Sequence, residues 1–116
     1  MYNQREIVLV PFPYSDLSSA KKRPVLIVSN NEYNQKYHDI VVAVISSMHR
    51  SEDKYSIPLT DADLDYGFLP EKSCIKVHKL FTIDKNRILK KFSLIKTDKF
   101  NEVYRLLSKL FSSNQK

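Results

Sequence analysis

The sequence predicts a mainly β fold closed by one C-terminal α-helix, and three observations predict it. Between residues 6 and 78 the chain carries short runs rich in Val and Ile, each stopped by proline or by a polar stretch. Phe100, Val103, Tyr104, Leu107, Leu110 and Phe111 recur at helical spacing. With 116 residues, 42% of them hydrophobic, there is room for one core, and so for a single domain over residues 1–116. Short strands with one covering helix predict a small, strongly bent antiparallel sheet or partly open barrel.

The elements follow in order. Residues 6–10 form an apolar β-branched strand ended by Pro11-Phe12-Pro13, because proline cannot donate to a sheet ladder. Residues 14–22 are polar and small, the composition of a loop. Residues 24–29 predict a second strand, buried on both faces because its apolar positions do not alternate. Residues 30–38 are polar with two tyrosines, one helical turn or a long loop. Residues 39–47 are a third strand, continuous in Val and Ile, and residues 55–59 a fourth. Residues 73–78 predict a fifth with true alternation: Cys74, Lys76 and His78 on one face, Ile75 and Val77 on the other. Asp84 is placed to cap a short helical turn running through Ile88 and Leu89. The final helix is capped by Thr97 or Asp98, with Glu102 near the positive end of its dipole and residues 112–116 fraying.

Composition narrows the function. No stretch approaches the ~20 apolar residues of a membrane-spanning helix, so no membrane role is expected. The first six residues lack the basic start and apolar segment of a signal peptide. A single cysteine, Cys74, cannot form an internal disulfide, which predicts a reduced, cytoplasmic protein. The lone glycine, Gly67, rules out a Walker loop or dinucleotide fingerprint. Nineteen Lys and Arg against thirteen Asp and Glu leave a net charge of +6, which suits a polyanion such as nucleic acid, an acidic protein, or simply a solvated basic surface.

Asp61, Asp63 and Asp65 resemble the start of a calcium loop. Tyr66 and Lys72 stand where that loop requires Gly and Glu, so an acidic surface loop is expected instead. Cys74 with scattered His38, His49 and His78 does not make a zinc set. Neither a metal nor another cofactor is expected.

Three stretches together resemble the MazF/PemK family of type II toxin–antitoxin toxins. They are Glu6-Ile7-Val8-Leu9-Val10-Pro11-Phe12-Pro13-Tyr14-Ser15-Asp16, then Lys21-Lys22-Arg23-Pro24-Val25-Leu26-Ile27-Val28-Ser29, and then Ile40-Val41-Val42-Ala43-Val44-Ile45-Ser46-Ser47. Residues 67–84, ending Phe81-Thr82-Ile83-Asp84, are similar to the family's later strands, so the resemblance covers nearly the whole chain. It implies an SH3-like small barrel of the CcdB/MazF plasmid-maintenance toxin type, and a homodimer. It further implies metal-independent, sequence-specific endoribonuclease action on single-stranded mRNA, and a cognate antitoxin whose acidic segment occupies the RNA groove.

Metal-free RNA cleavage uses the 2′-hydroxyl as nucleophile on the adjacent phosphorus. A base takes its proton, an acid protonates the departing 5′-oxygen, and a cation stabilises the phosphorane. The resemblance assigns Arg23 as the catalytic cation, and guanidinium geometry suits phosphate oxygens. By itself Arg23 better fits a solvated or salt-bridged strand end, and the Arg23-Pro24 match to the family reverses that order. Ser46 matches the family's catalytic Thr or Ser, with Ser47 adjacent; either serine also serves merely to end a strand.

Lys76 and His78 stand where one branch of the family carries Arg and Asp. An imidazole titrating near ~6.5 suits acid–base work and a lysine suits a phosphate; the bland reading of both is an exposed strand face. Ser18, Ser19, Lys21 and Lys22 would form an RNA-closing loop, Tyr14 a stacking platform, and Ser47 and Arg50 further RNA contacts. Two other classes stay open: a CcdB-like gyrase poison, which shares the barrel, and a catalytically degenerate relative that binds only RNA or antitoxin.

Overall fold

The structure, a computed structural model, describes residues 1–11, 22–47 and 53–113. Each Val- and Ile-rich run forms a strand: β1 (Glu6–Pro11), β2 (Lys22–Ile27), β3 (Asp39–Ser47) and β4 (Ser56–Leu59). They join β5 (Ser73–Asp84) and β6 (Lys90–Leu94) in one sheet of order β4-β5-β3-β2-β1-β6, with every pairing antiparallel. Two helices complete the described fold, α1 (Asn31–Lys36) and α2 (Thr97–Leu110).

The missing alternation in the central strands has a direct cause, which is that both faces of the sheet are buried. Ile7, Leu26, Ala43, Ile45, Ile75 and Val77 pack on one face beneath Phe100 and Val103 of α2. Their strand neighbours Val8, Val10, Val25, Ile27 and Val42 pack on the other with Ile40, Ile83 and Ile88. The chain from β5 to β6 closes this second core. Lys85 N–H donates to His38 O at 2.9 Å and Leu89 N–H to Leu9 O at 2.8 Å, which carries Ile88 across the face.

The two edges of the sheet are also drawn together. Leu64, after β4, bridges to Ile95, after β6, and Asp65 N–H donates to Leu94 O at 2.8 Å. The result is a curled, six-stranded half-barrel closed by the C-terminal helix, as the sequence predicts.

The structure corrects several details. β5 runs for 12 residues, through Phe81-Thr82-Ile83, rather than stopping at His78. Ala43 pairs with Leu80 but Val44 with Lys76, so residues 77–79 bulge out of the ladder and the strand bends and continues. β6 escaped prediction because Lys90, Lys91 and Ser93 break up its apolar pattern. The polar segment after β2 is helical because Asn30 Oδ1 caps it, accepting from Tyr33 N–H at 2.8 Å. Asp84 does act as a cap, on Asn86 N–H at 2.8 Å, but of a single 3-10 turn, Lys85–Arg87. α2 has Lys96 at its N-cap with no side-chain cap bond, so Thr97 and Asp98 lie within its first turn. Of the tail expected to fray, residues 114–116 lie outside those described.

The acidic loop has internal uses for its carboxylates. Asp61 accepts from Leu69 N–H at 2.7 Å, Asp63 from Thr60 N–H at 2.8 Å, and Asp65 pairs with Arg5 at 3.3 Å. Among the described residues no helix is long and apolar enough to cross a membrane.

Candidate active site

Arg23 is the second residue of β2 and pairs with Val10 of β1. Pro24 follows it, restricting Arg23 to extended backbone and pairing in turn with Leu9. A proline-stiffened, half-buried strand end thus aims the guanidinium. Ser46 lies near the end of the adjoining β3, opposite Cys74 of β5, and its Oγ is 3.7 Å from Cys74 Sγ.

Two cavities abut along this seam, and Arg23, Pro24, Ile45 and Ser46 line both. The first, about 420 Å³, adds Lys76 and Lys79 from β5 beside Leu80 and Phe81. Its charged lining among the described residues is entirely cationic: Arg23, Lys76 and Lys79. The second, about 340 Å³, adds Lys22, Ser47, Glu71 and Ser73 on its polar side. Leu9, Leu69, Pro70 and Phe92 supply its apolar wall. Ser47 Oγ donates to the Glu71 carboxylate, and Ser73 Oγ donates to Glu71 O at 3.0 Å.

Five of the expected site residues therefore come together: Arg23, Ser46 and Lys76 around the first cavity, Lys22 and Ser47 in the second. His78 does not line either. It sits in the bulge, with Nε2 3.2 Å from Asp53 Oδ2 and its ring 6.2 Å from that of Tyr55. His78 Nδ1 is buried with no hydrogen-bond partner among the described residues. The Tyr55 backbone N–H, donating to Asp53 Oδ1 at 2.9 Å, holds the Asp53 carboxyl below the usual carboxylate value. The nearby His78, Ser56 and Lys76 act in the same direction. Tyr14, Ser18, Ser19, Lys21 and Arg50 lie outside the described residues.

The sequence reading missed Glu71, Lys79 and Asp53. Glu71 follows Pro70 two residues before a strand, where proline commonly delivers the chain to a sheet, and that is the one signal available for it. The described residues hold no cluster of three or more His, Cys, Asp or Glu able to bind a metal ion.

A half-barrel with a cation- and hydroxyl-lined seam defines the class, and sequence comparison gives the family. The chain matches, over residues 3–111, the family described as PemK-like, MazF-like toxins of type II toxin–antitoxin systems, and it belongs to that family. No curated protein matches it by sequence.

Among solved structures it is similar to an endoribonuclease in complex with its cognate antitoxin from a mycobacterial species. The TM-score is 0.76 at 16% identity, covering 94% of this chain and 93% of that one. It is similar to the Mycobacterium tuberculosis toxin MazF-mt6, with a TM-score of 0.75 at 19% identity over 96% and 100% of the two chains. It is also similar to a MazE–MazF crystal structure from Deinococcus radiodurans, with a TM-score of 0.73 at 15% identity over 97% of each. At these identities the likeness is one of fold.

Proposed function

We propose that this toxin is a metal-independent, sequence-specific endoribonuclease that cleaves single-stranded mRNA by attack of the 2′-hydroxyl on the adjacent phosphorus. The observation that carries the reading is the placement of Arg23 and Ser46 on neighbouring strands, at the seam of two cavities, with Lys76 on the third strand beside them. Two similar structures are named as endoribonucleases, which supports the same chemistry here.

The scissile phosphate lies against Arg23, whose planar donors match the charge that builds on the phosphorane oxygens. The Ser46 hydroxyl donates to a non-bridging oxygen, and Lys76 holds the same or a neighbouring phosphate. His78, oriented by Asp53, is the acid–base residue. Its Nδ1 reaches the groove only after the bulge shifts on RNA binding, since it is covered in the free protein. As the 2′-oxygen–phosphorus bond forms, the bond to the 5′-oxygen breaks, leaving a cyclic phosphate and a protonated 5′-hydroxyl.

Tyr14, Ser18, Ser19, Lys21, Lys22, Ser47 and Arg50 supply the remaining RNA contacts. The active species is a homodimer, and exposed Phe68, Tyr104 and Phe111 support such a contact. The partner is a cognate antitoxin whose acidic segment complements a chain of net charge +6.

The test is incubation of purified protein with a long single-stranded RNA in EDTA, with Arg23→Ala alongside. Discrete fragments from the wild type alone are expected. A second reading, a relative that binds RNA without cutting it, draws on the capture of His78 by Asp53 outside both cavities. Tight RNA binding with no cleavage across varied substrates would select it. Intact RNA with loss of gyrase supercoiling would select a CcdB-like poison.

A further inference from the structure

We infer that the cavity lined by Glu71 and Ser47 is a base-reading pocket that selects guanine. The inference rests on the reading of this groove as the seat of single-stranded RNA. It begins from the contrast between the two cavities. Both are lined by cations, Arg23 being shared, with Lys76 and Lys79 in the first and Lys22 in the second. Among the described lining residues only the second also holds a carboxylate, that of Glu71. A carboxylate in an RNA groove needs a partner rich in N–H donors, and a nucleobase edge is the one part of RNA that offers it.

The wall carries two acceptor groups in contact, the Ser47 hydroxyl and the Glu71 carboxylate. Ser47 spends its only proton on the Glu71 carboxylate, so its Oγ meets a ligand as an acceptor beside the carboxylate oxygens. Two adjacent acceptors require two adjacent donors. Guanine alone carries them on its pairing edge, at N1–H and N2–H₂. Adenine and cytosine set one amino group beside a ring-nitrogen acceptor, and uracil sets N3–H between two carbonyls. Each of these would place a lone pair against a lone pair. The apolar side of the cavity, Leu69, Pro70 and Phe92 among it, offers surface for the face of the ring.

The reader is also held in place before any ligand arrives. Leu69 N–H is tied to Asp61 Oδ1 at 2.7 Å, Pro70 stiffens the next step, and buried Ser73 fixes the Glu71 carbonyl at 3.0 Å. Preorganised acceptors discriminate better because no binding energy is spent ordering them. With about 340 Å³, the space is at the small end of ligand pockets, which suits one base rather than a longer segment.

The test reads binding, so it does not depend on cleavage. Short single-stranded DNA of random sequence, which lacks the 2′-hydroxyl, is titrated against the protein beside the same pool with inosine in place of guanine. Inosine lacks only the N2 amino group. The guanine pool is expected to bind about tenfold more tightly, the discrimination of a bidentate base contact. Glu71→Gln is expected to remove that preference, and Ser47→Ala to reduce it.

Equal affinity for the two pools, or a preference that survives Glu71→Gln in folded protein, overturns the pocket. RNA cleavage measured on the same preparations keeps the two ideas apart. Cleavage without guanine preference sinks the pocket and leaves the nuclease, and guanine preference without cleavage does the reverse.

Discussion

The two halves of β5 differ in what fixes their side chains. Residues 73–76 are paired on both sides, with β3 and with β4, so Lys76 is held opposite Val44 and Ser56. Two residues later His78 stands in the bulge between the pairs Val44–Lys76 and Ala43–Leu80, and its position comes from Asp53 on a separate segment. A ladder transmits position through backbone hydrogen bonds, whereas a bulge leaves the side chain to whatever it can pair with. Under the proposed mechanism, Lys76 in the rigid half waits in place for a phosphate, and His78 in the irregular half acts only after a shift.

Substitutions on either side of the bulge test that difference. The largest effect is expected at Arg23: Arg23→Ala should lower the cleavage rate by about 10²–10³-fold or more, the cost of losing a preorganised charge-stabilising donor. Circular dichroism and the melting temperature should stay close to wild type, and near-full activity in a folded variant would remove Arg23 from the mechanism. His78→Ala should cost about 10²-fold and flatten the pH–rate profile in the neutral range. A normal rate with an unchanged profile would make the Asp53 contact a structural tie only.

Ser46→Ala is expected to slow cleavage by roughly tenfold, one hydrogen bond to a charged oxygen, with little change in RNA affinity. The smallest effect belongs to Asp53. Its carboxyl is held below its ordinary value in the folded chain. Its ionised form therefore adds stability that is complete above about pH 4 and is lost as pH falls through the lowered value. Asp53→Asn should lower the melting temperature slightly at neutral pH and shrink its fall below about pH 4 by a similar amount. A full-sized acid fall in the variant would show that other carboxylates carry it.

The same contrast explains what the sequence made legible. Val8, Val25, Ile27 and Val42 announced strands because a sheet buried on both faces needs β-branched residues at consecutive positions. The helical spacing of Phe100 and Val103 announced α2 because one stripe of it covers the core. The closeness of Arg23, Ser46 and Lys76 was partly legible, since Arg23 directly precedes one recognisable strand, Ser46 and Lys76 lie in two others, and the family resemblance assigned all three to one site.

The bulge was only partly legible: the alternation of Lys76-Val77-His78 fails at Lys79, which would share the face of Ile75 and Val77, but nothing local shows that the strand resumes beyond it. Its cause is the register of β3, more than 30 residues earlier. Glu71 stayed hidden for a related reason. Its role depends on Ser47 across the sheet, a pairing that no local pattern encodes. Strand β6 disappeared into its own lysines, one of which, Lys91, pairs with Glu6 at 3.3 Å.

Strand order has a consequence for a chain still being made. β1 lies between β2 and β6, and the face carrying Ile7 and Ile45 is sealed by Phe100 and Val103. A ribosome that has reached Ile83 has polymerised Arg23, Ser46, Glu71 and Lys76, but neither β6 nor α2. One edge of β1 is then unpaired and the larger core lies open to water, so the groove beside Arg23 cannot hold its shape. Under the proposed action on messenger RNA, that delay would keep a half-made copy harmless to the message being read.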